Sequence, residues 1–227
     1  MTAQPTPGHD LTHIDTWLFD LDNTLYPPEA EILALVEARM TEFVAREAGL
    51  PREEARALQH RYYLEHGTTL AGLMANHGVD PEAFLTEVHD IALDRLSPDP
   101  ALEAALHRLP GRRLVFTNGD AGHAERVLAA LGLSDAFEAV FHIGSAGYIP
   151  KPQMRCFELM VAEHTVTAPS AAFFEDSERN LEPAAALGMT TVLVGPHAAA
   201  STAPFVDHRA ADLTAFLIAA QVRALRS

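Results

Sequence analysis

Apolar and polar positions change period twice along the chain, and the changes predict its elements. Thr16–Asp22 (TWLFDLD) is a short apolar run ending in two acids, the pattern of a buried parallel strand whose C-terminal end meets a site. Pro27 and Pro28 then break the chain. From Glu29 to Leu96 the spacing is helical. Ile32, Leu33, Val36, Met40, Phe43 and Val44 share one face, and Gly49 with Pro51 supplies the stop. Arg52–His66, Thr69–His77 and Pro81–Leu96 predict three more helices, with no alternating stretch between them. After Ser97–Pro100, strands and helices alternate. Leu102–Leu109 reads as a helix, Arg113–Thr117 as a strand, and Ala121–Leu131 as a helix closed by Gly132. Phe137–Ile143 reads as a strand, Gln153–His164 as a helix and Ala171–Phe174 as a strand. Glu178–Leu187 (helix), Thr191–Val194 (strand) and Ala211–Arg223 (helix) complete the series, and Pro196–Pro204 reads as a mobile loop of small residues. Repeated βα units predict a parallel sheet covered by helices on both faces. The expected organisation is an α/β core over 13–27 and 98–227, an all-helical insert over 28–97 and a flexible tail over 1–12.

In such a sheet a ligand sits beyond the carboxyl ends of the strands. Four places qualify, and each holds a chemically useful residue: Asp20 with Asp22, Thr117 with Asn118, Lys151, and Glu175 with Asp176. Strand alternation would send Asp20 and Asp22 to one side. Taken singly, the acids and Thr117–Asn118 have ordinary uses as a turn or a helix cap, and Lys151 could be a chance surface lysine. Their joint order along the chain is what marks a site.

Composition narrows the chemistry. The 227 residues are 48% hydrophobic and 21% charged, which allows a full core. A net charge of −15 disfavours binding a nucleic-acid polymer, so a phosphorylated small molecule would need a local cation or metal. Of the 16 basic residues Lys151 alone is lysine, and it lies between two prolines. A single cysteine, Cys156, excludes an internal disulfide and a cysteine-based zinc site, and it reads as a small buried residue without catalytic use. No apolar run is long enough for a membrane helix, and the first ten residues have no signal-peptide pattern, so a cytoplasmic location away from membranes is expected.

The motifs DLDNTLY (Asp20–Tyr26), FTNGD around Thr117, IPKP around Lys151 and FFEDSERN resemble, in order, the four motifs of the haloacid dehalogenase superfamily. The resemblance implies a doubly wound, Rossmann-like core with a helical cap as the insert. It also implies Asp20 as nucleophile, Asp22 as general acid and base, and Mg²⁺ held by Asp20, the Asp22 main-chain carbonyl and Asp176. Lys151, Thr117 and Asn118 would face the phosphoryl group, with Glu175 and Asn180 in support. An acid at position 22 argues against dehalogenation, and the lack of any lysine in the insert argues against Schiff-base phosphonatase chemistry. Arg61–Leu96, DLDNTLYPP, LPGRRLVFTNGDAGHAERVL and the EDS form of the last motif are similar to the pyrimidine 5′-nucleotidase branch. That similarity implies a pyrimidine nucleotide such as UMP or CMP as the small-molecule partner. A broader sugar phosphate or phosphoglycolate phosphatase, or a non-catalytic binding protein, are the alternatives. Candidate substrate contacts in the insert are Tyr62, Tyr63, His66, Thr68 and Thr69, with His89 and Asp90 as a second group. Nothing in the pattern reads out an oligomeric state.

Overall fold

In the computed structural model, which describes residues 9–224, β1 (Thr16–Phe19) lies at the centre of a six-stranded, wholly parallel sheet. On one side of it lie β2 (Arg112–Phe116) and β3 (Ala139–Phe141). On the other lie β4 (Ala171–Glu175), β5 (Thr190–Val194) and β6 (His208–Ala210), giving the order β3-β2-β1-β4-β5-β6. The winding reverses between β1 and β4, which opens a crevice at their carboxyl ends. Alternation along the strands feeds two apolar layers. Trp17, Phe19, Val115, Phe174 and Val192 point to one face, and Leu18, Leu114, Phe116, Phe173 and Leu193 to the other. Burial on both faces is why these strands read as continuous apolar runs.

Between β1 and β2 the chain passes through α1 (Ile32–Ala48), α2 (Arg52–His66), α3 (Thr69–His77) and α4 (Pro81–Val88), then returns to the sheet and enters α5 (Pro100–His107). The four helices pack around Val36, Phe43, Phe84 and Val88, a core continuous with the first face of the sheet. Beyond β2, α6 (Ala121–Ala130) precedes β3, α7 (Met154–His164) precedes β4, α8 (Glu178–Ala186) precedes β5, and α9 (Leu213–Ala219) follows β6. The core is doubly wound and the insert is helical, as the pattern predicts. No helix among the described residues is long and apolar enough to cross a membrane.

Four local expectations change. The helix expected over Pro81–Leu96 stops at Val88, because Arg126 takes up the carbonyls of His89 and Ile91 that a continuing helix would have used. The final helix is shorter than Ala211–Arg223: Asp212 caps its start, and beyond it Gln221 pairs with the segment at Asp10. That pairing, with the fully buried Leu11, ties down residues 9–12 of the expected tail, while 1–8 lie outside the described residues. The loop Pro196–Pro204 is pinned rather than free, since the Arg209 guanidinium donates to the carbonyls of Ser201 and Ala203. β6 carries no apolar signal, and pairing to β5 alone makes it a strand.

Candidate active site

β1, β2 and β4 each deliver a polar residue to the crevice. Asp20 follows Phe19, and its N–H reaches the Phe174 carbonyl at 2.9 Å. Thr117 follows β2, Glu175 ends β4, and Asp176 comes next. Lys151 reaches beneath them from the loop before α7. Its Nζ donates to Asp20 Oδ1 and Glu175 Oε2, both at 2.7 Å, and to the Phe116 carbonyl at 2.8 Å. The side chain is 1% exposed, and its ammonium lies 5.0 and 5.2 Å from the Phe116 and Phe173 rings. All three ammonium hydrogens are therefore taken by the protein. With those hydrogens engaged, what the lysine offers a ligand in this arrangement is charge. Asn118 holds the same segment in place. Its Oδ1 accepts from Lys151 N–H at 2.9 Å, and its Nδ2 donates to Lys151 O at 3.2 Å. The Asn118 side chain thus holds the backbone of the lysine segment, and the residue also lines the cavity.

Oxygens of Asp20, Glu175 and Asp176 lie within 4.8 Å of one another, with Lys151 as the one cation among them. Burial, then Glu175, raises Asp20 to about 7. Burial overrides Lys151 to raise Glu175 to about 7, and burial with Asp20 raises Asp176 to about 6. Burial opposes the Lys151 charge too, but Asp20 and Glu175 hold its pKa above the usual lysine value. A buried surplus of negative oxygen donors is the set that a hard divalent cation satisfies. Glu175 has both oxygens engaged, one by Lys151 and one by Ser177 N–H at 3.1 Å.

Asp22 reaches the cavity of Asp20, as expected, but by a turn rather than by strand alternation. β1 ends at Phe19, and Leu21–Leu25 form a turn in which Asn23 has φ 61°. The Asp22 carboxylate is not one of the three gathered around the Lys151 ammonium, and it lines the same cavity. Its Oδ1 accepts from Tyr26 Oη at 2.6 Å and from His123 Nε2 at 2.8 Å. Burial works against its charge, but His123 and then Tyr26 bring its pKa below the ordinary value. Burial likewise opposes a charge on His123, yet Asp22 carries that pKa upward. Thr117 Oγ1 accepts from Gly119 N–H at 2.9 Å, which leaves its own hydrogen to give.

From the insert, Tyr63, Thr68 and Thr69 line the cavity, while Tyr62, His66 and Asp90 do not. Tyr62 packs inside the insert, bonded through its hydroxyl to His77 at 2.8 Å, and an added Cβ on Gly72 would fall 2.3 Å from its ring. His66 rests against Tyr62, and Asp90 is exposed. Thr68 also caps α3 by accepting from Ala71 N–H. Tyr63 meets the core across the cavity, where the Arg179 guanidinium lies 4.9 Å over its ring. His89 borders the cavity but is bonded to Asp120 and stacked on His123. Asn180 lines the cavity beside Ser177. Reasoning from sequence missed Arg56, Gln59 and His60, which line it with Tyr63. Their spacing of three, four and seven residues along α2 was the available signal. It also missed Tyr26 and His123 as partners of Asp22. Tyr26 lies inside a motif already singled out, whereas His123 carries no local mark.

Cys156 is buried on α7, and burial pushes its thiol up to about 12. At pH 8 it is then almost wholly protonated. Iodoacetamide is expected to leave it unmodified in the folded protein and to alkylate it once the protein is unfolded in urea, read by intact mass. Rapid labelling of the folded protein would contradict the burial.

A parallel doubly wound sheet, a helical insert after the first strand and an aspartate held by a buried lysine at the switch point define a hydrolase class. The pattern of haloacid dehalogenase-like hydrolases matches residues 14–188, and the chain belongs to that family. It is 29% identical over 193 residues to "Phosphate metabolism protein 8" of Saccharomyces cerevisiae, a match covering 78% of this chain and 60% of that relative's length. Among solved structures it resembles a HAD phosphatase from Thermococcus onnurineus, with TM-score 0.60 and 20% identity over 88% of this chain and 94% of the other. It also resembles a 2-haloacid dehalogenase from Pseudomonas syringae, with TM-score 0.57 and 23% identity over 88% and 95%. At those identities the likeness is one of fold.

Proposed function

We propose that this chain is a Mg²⁺-dependent phosphomonoester hydrolase that works through a phosphoryl-aspartate on Asp20, with pyrimidine nucleoside 5′-monophosphates as its substrates. The observation that carries the reaction type is Asp22, a further carboxylate in the Asp20 cavity, held by two donors. An ester oxygen needs a proton as it leaves, and Asp22 is placed to give one. In the first step Asp20 attacks phosphorus, the P–O ester bond breaks, and the leaving oxygen takes the proton from Asp22. In the second, Asp22 takes a proton from water as that water attacks the phosphoryl group, releasing phosphate and restoring Asp20. Thr117 donates its hydroxyl hydrogen to the phosphoryl oxygens, and Lys151 offsets the charge of Asp20. The carboxylates of Asp20 and Asp176, with the Asp22 main-chain carbonyl, would hold the cation, and Glu175 fixes the lysine. When bound, the cation supplies charge neutralisation between the carboxylates and the incoming phosphate.

The cavity of about 660 Å³ falls in the range of small-molecule sites and has room beyond a phosphate. Tyr63 offers an aromatic face, and His60 and Thr68 offer hydrogen bonds to a base edge. The name of the yeast relative agrees with phosphate chemistry without specifying a substrate. Release of phosphate from UMP, CMP, purine monophosphates, sugar phosphates and phosphoglycolate, with Mg²⁺ and with excess chelator, tests the reading. UMP and CMP are expected to lead, and turnover to vanish with chelator. Equal turnover across the panel would sink the pyrimidine assignment while leaving the reaction type standing. Saturating Mg²⁺, at a hundredfold its Kd, is expected to raise Tm by roughly 5–11 °C. No shift in Tm would count against the cation site.

A further inference from the structure

We propose that His123 is the positioning residue of the acid/base carboxylate: with Tyr26 it reserves Asp22 Oδ1 and so confines the transferable proton to Oδ2. His89, from the segment returning from the insert, holds the His123 ring in turn. This inference rests on the assignment of Asp22 as general acid and base.

The His123 side chain is fully buried on the first turn of α6, and its Nε2 bonds to Asp22 Oδ1 at 2.8 Å. Its other nitrogen, Nδ1, is buried with no partner among the described residues. A stranded polar atom costs free energy, and an apolar ring would fill this place without that cost. The imidazole thus makes a single polar contact, and that contact is with Asp22. Packing alone does not account for a histidine here.

Tyr26 Oη reaches the same oxygen at 2.6 Å, so Oδ1 accepts two hydrogen bonds. An oxygen accepting two is a poor place for a third hydrogen. The proton of the acid form therefore belongs on Oδ2, the oxygen nearer Gly119 in the cavity wall. The same atom receives the proton of the attacking water in the second step. Without both donors the carboxyl could rotate, and a share of its protons would face the wrong way.

The ring of His123 is fixed from behind. His89 stacks on it with centroids 4.3 Å apart and planes 13° from parallel. His89 Nδ1 bonds to Asp120, and Asp120 Oδ1 caps α6 by accepting the main-chain N–H of His123 at 2.9 Å. One helical turn on, Arg126 donates to the His89 carbonyl at 2.9 Å and to that of Ile91. The start of α6 thus grips the return segment by side chain and by backbone. The segment that anchors the insert is in this way built into the support of the acid.

The test uses kcat/KM with Mg²⁺ across phosphate esters of graded leaving-group acidity: p-nitrophenyl phosphate, phenyl phosphate, glycerol phosphate and UMP. Good leaving groups need little protonation, so loss of a general acid is felt most by the alkyl esters. Asp22→Asn sets the ceiling. His123→Phe is expected to lower kcat/KM for UMP and glycerol phosphate by roughly 10–100-fold, and for p-nitrophenyl phosphate by no more than about threefold. His123→Gln, whose amide can reach Oδ1, is expected to recover most of that loss. Tyr26→Phe removes the other donor with little change of shape and is expected to show the same dependence on leaving group, so the test does not hang on one variant folding. His89→Phe keeps a stacking ring, loses the Asp120 bond and is expected to cost less than His123→Phe.

Equal losses on all esters in His123→Phe and Tyr26→Phe, or no rescue by glutamine, would overturn the inference while a steep Asp22→Asn effect kept the acid/base assignment. Absence of any leaving-group dependence in Asp22→Asn, or of any turnover by the unaltered protein, would overturn that assignment and this inference together.

Discussion

Asp20→Asn is expected to reduce phosphate release by about 10⁴-fold or more while leaving the protein folded and no less stable. The carboxamide has no charged oxygen with which to form a bond to phosphorus, and no other carboxylate takes its place. Asp22 is turned toward Tyr26 and His123, and Glu175 has both oxygens engaged. Stability is expected to hold because the exchange removes one of three mutually repelling carboxylates, two of them buried. Lys151 keeps Glu175 and the Phe116 carbonyl as partners. Phosphate release and thermal melting, measured on one preparation, decide the matter. Activity within tenfold of the unaltered enzyme would remove Asp20 as nucleophile. A folded but inert protein from the outset would instead favour the reading of the chain as a binding module on this fold.

Lys151→Met is the second large effect, and it falls on stability as well as rate. The methionine fills the apolar path between the Phe116 and Phe173 rings but removes the ammonium that faces Asp20 and Glu175. Breaking a buried pair in this way costs about 3–5 kcal/mol, which for a chain of this size lowers Tm by about 6–20 °C. The pH dependence has a definite sign. Asp20 and Glu175 already titrate near 7 when folded, above their ordinary values of 3.8 and 4.5. Carboxyls with raised folded pKa values favour the fold below about pH 4 and lose that contribution as pH climbs through 7. Removing the lysine raises them further, so the deficit of the variant is expected to be largest above pH 7 and to shrink toward pH 5. A second change, Glu175→Gln, is expected to return much of the lost stability, since it removes one of the two orphaned charges. A double-mutant cycle read by melting at pH 5 and pH 8 measures both claims. Equal deficits at the two pH values would show that the ion cluster is not what the lysine stabilises.

Most of the fold was legible because its signals are local. Strands buried on both faces must be apolar throughout, and helices with one buried face must repeat their apolar residues every three or four positions. Runs such as TWLF and AAFF, and the Ile32–Val44 stripe, therefore announce their elements in a few residues. The acids and the lysine of the candidate site were legible for a related reason. They sit at strand ends or between prolines, where apolar runs stop abruptly on residues that packing does not require.

The elements that were misread depend on partners distant in sequence. α4 ends at Val88 because Arg126 satisfies the carbonyls beyond it, and β6 exists because β5 offers it an edge. Tyr62 and Tyr63 are neighbours with the same chemistry, yet Tyr62 bonds His77 inside the insert and Tyr63 faces Arg179 across the cavity. The support of Asp22 shows the same division. Asp22 and Tyr26 are four residues apart and share one motif, whereas His123 arrives on α6 and His89 on the return from the insert. Residue type and spacing were enough to place Asp20, the acidic Asp22 and the cation of Lys151 at one end of a parallel sheet. Which oxygen of the acid stays free depends on contacts between segments far apart in the chain, because a side chain's hydrogen bonds are set by whatever the packed fold brings against it.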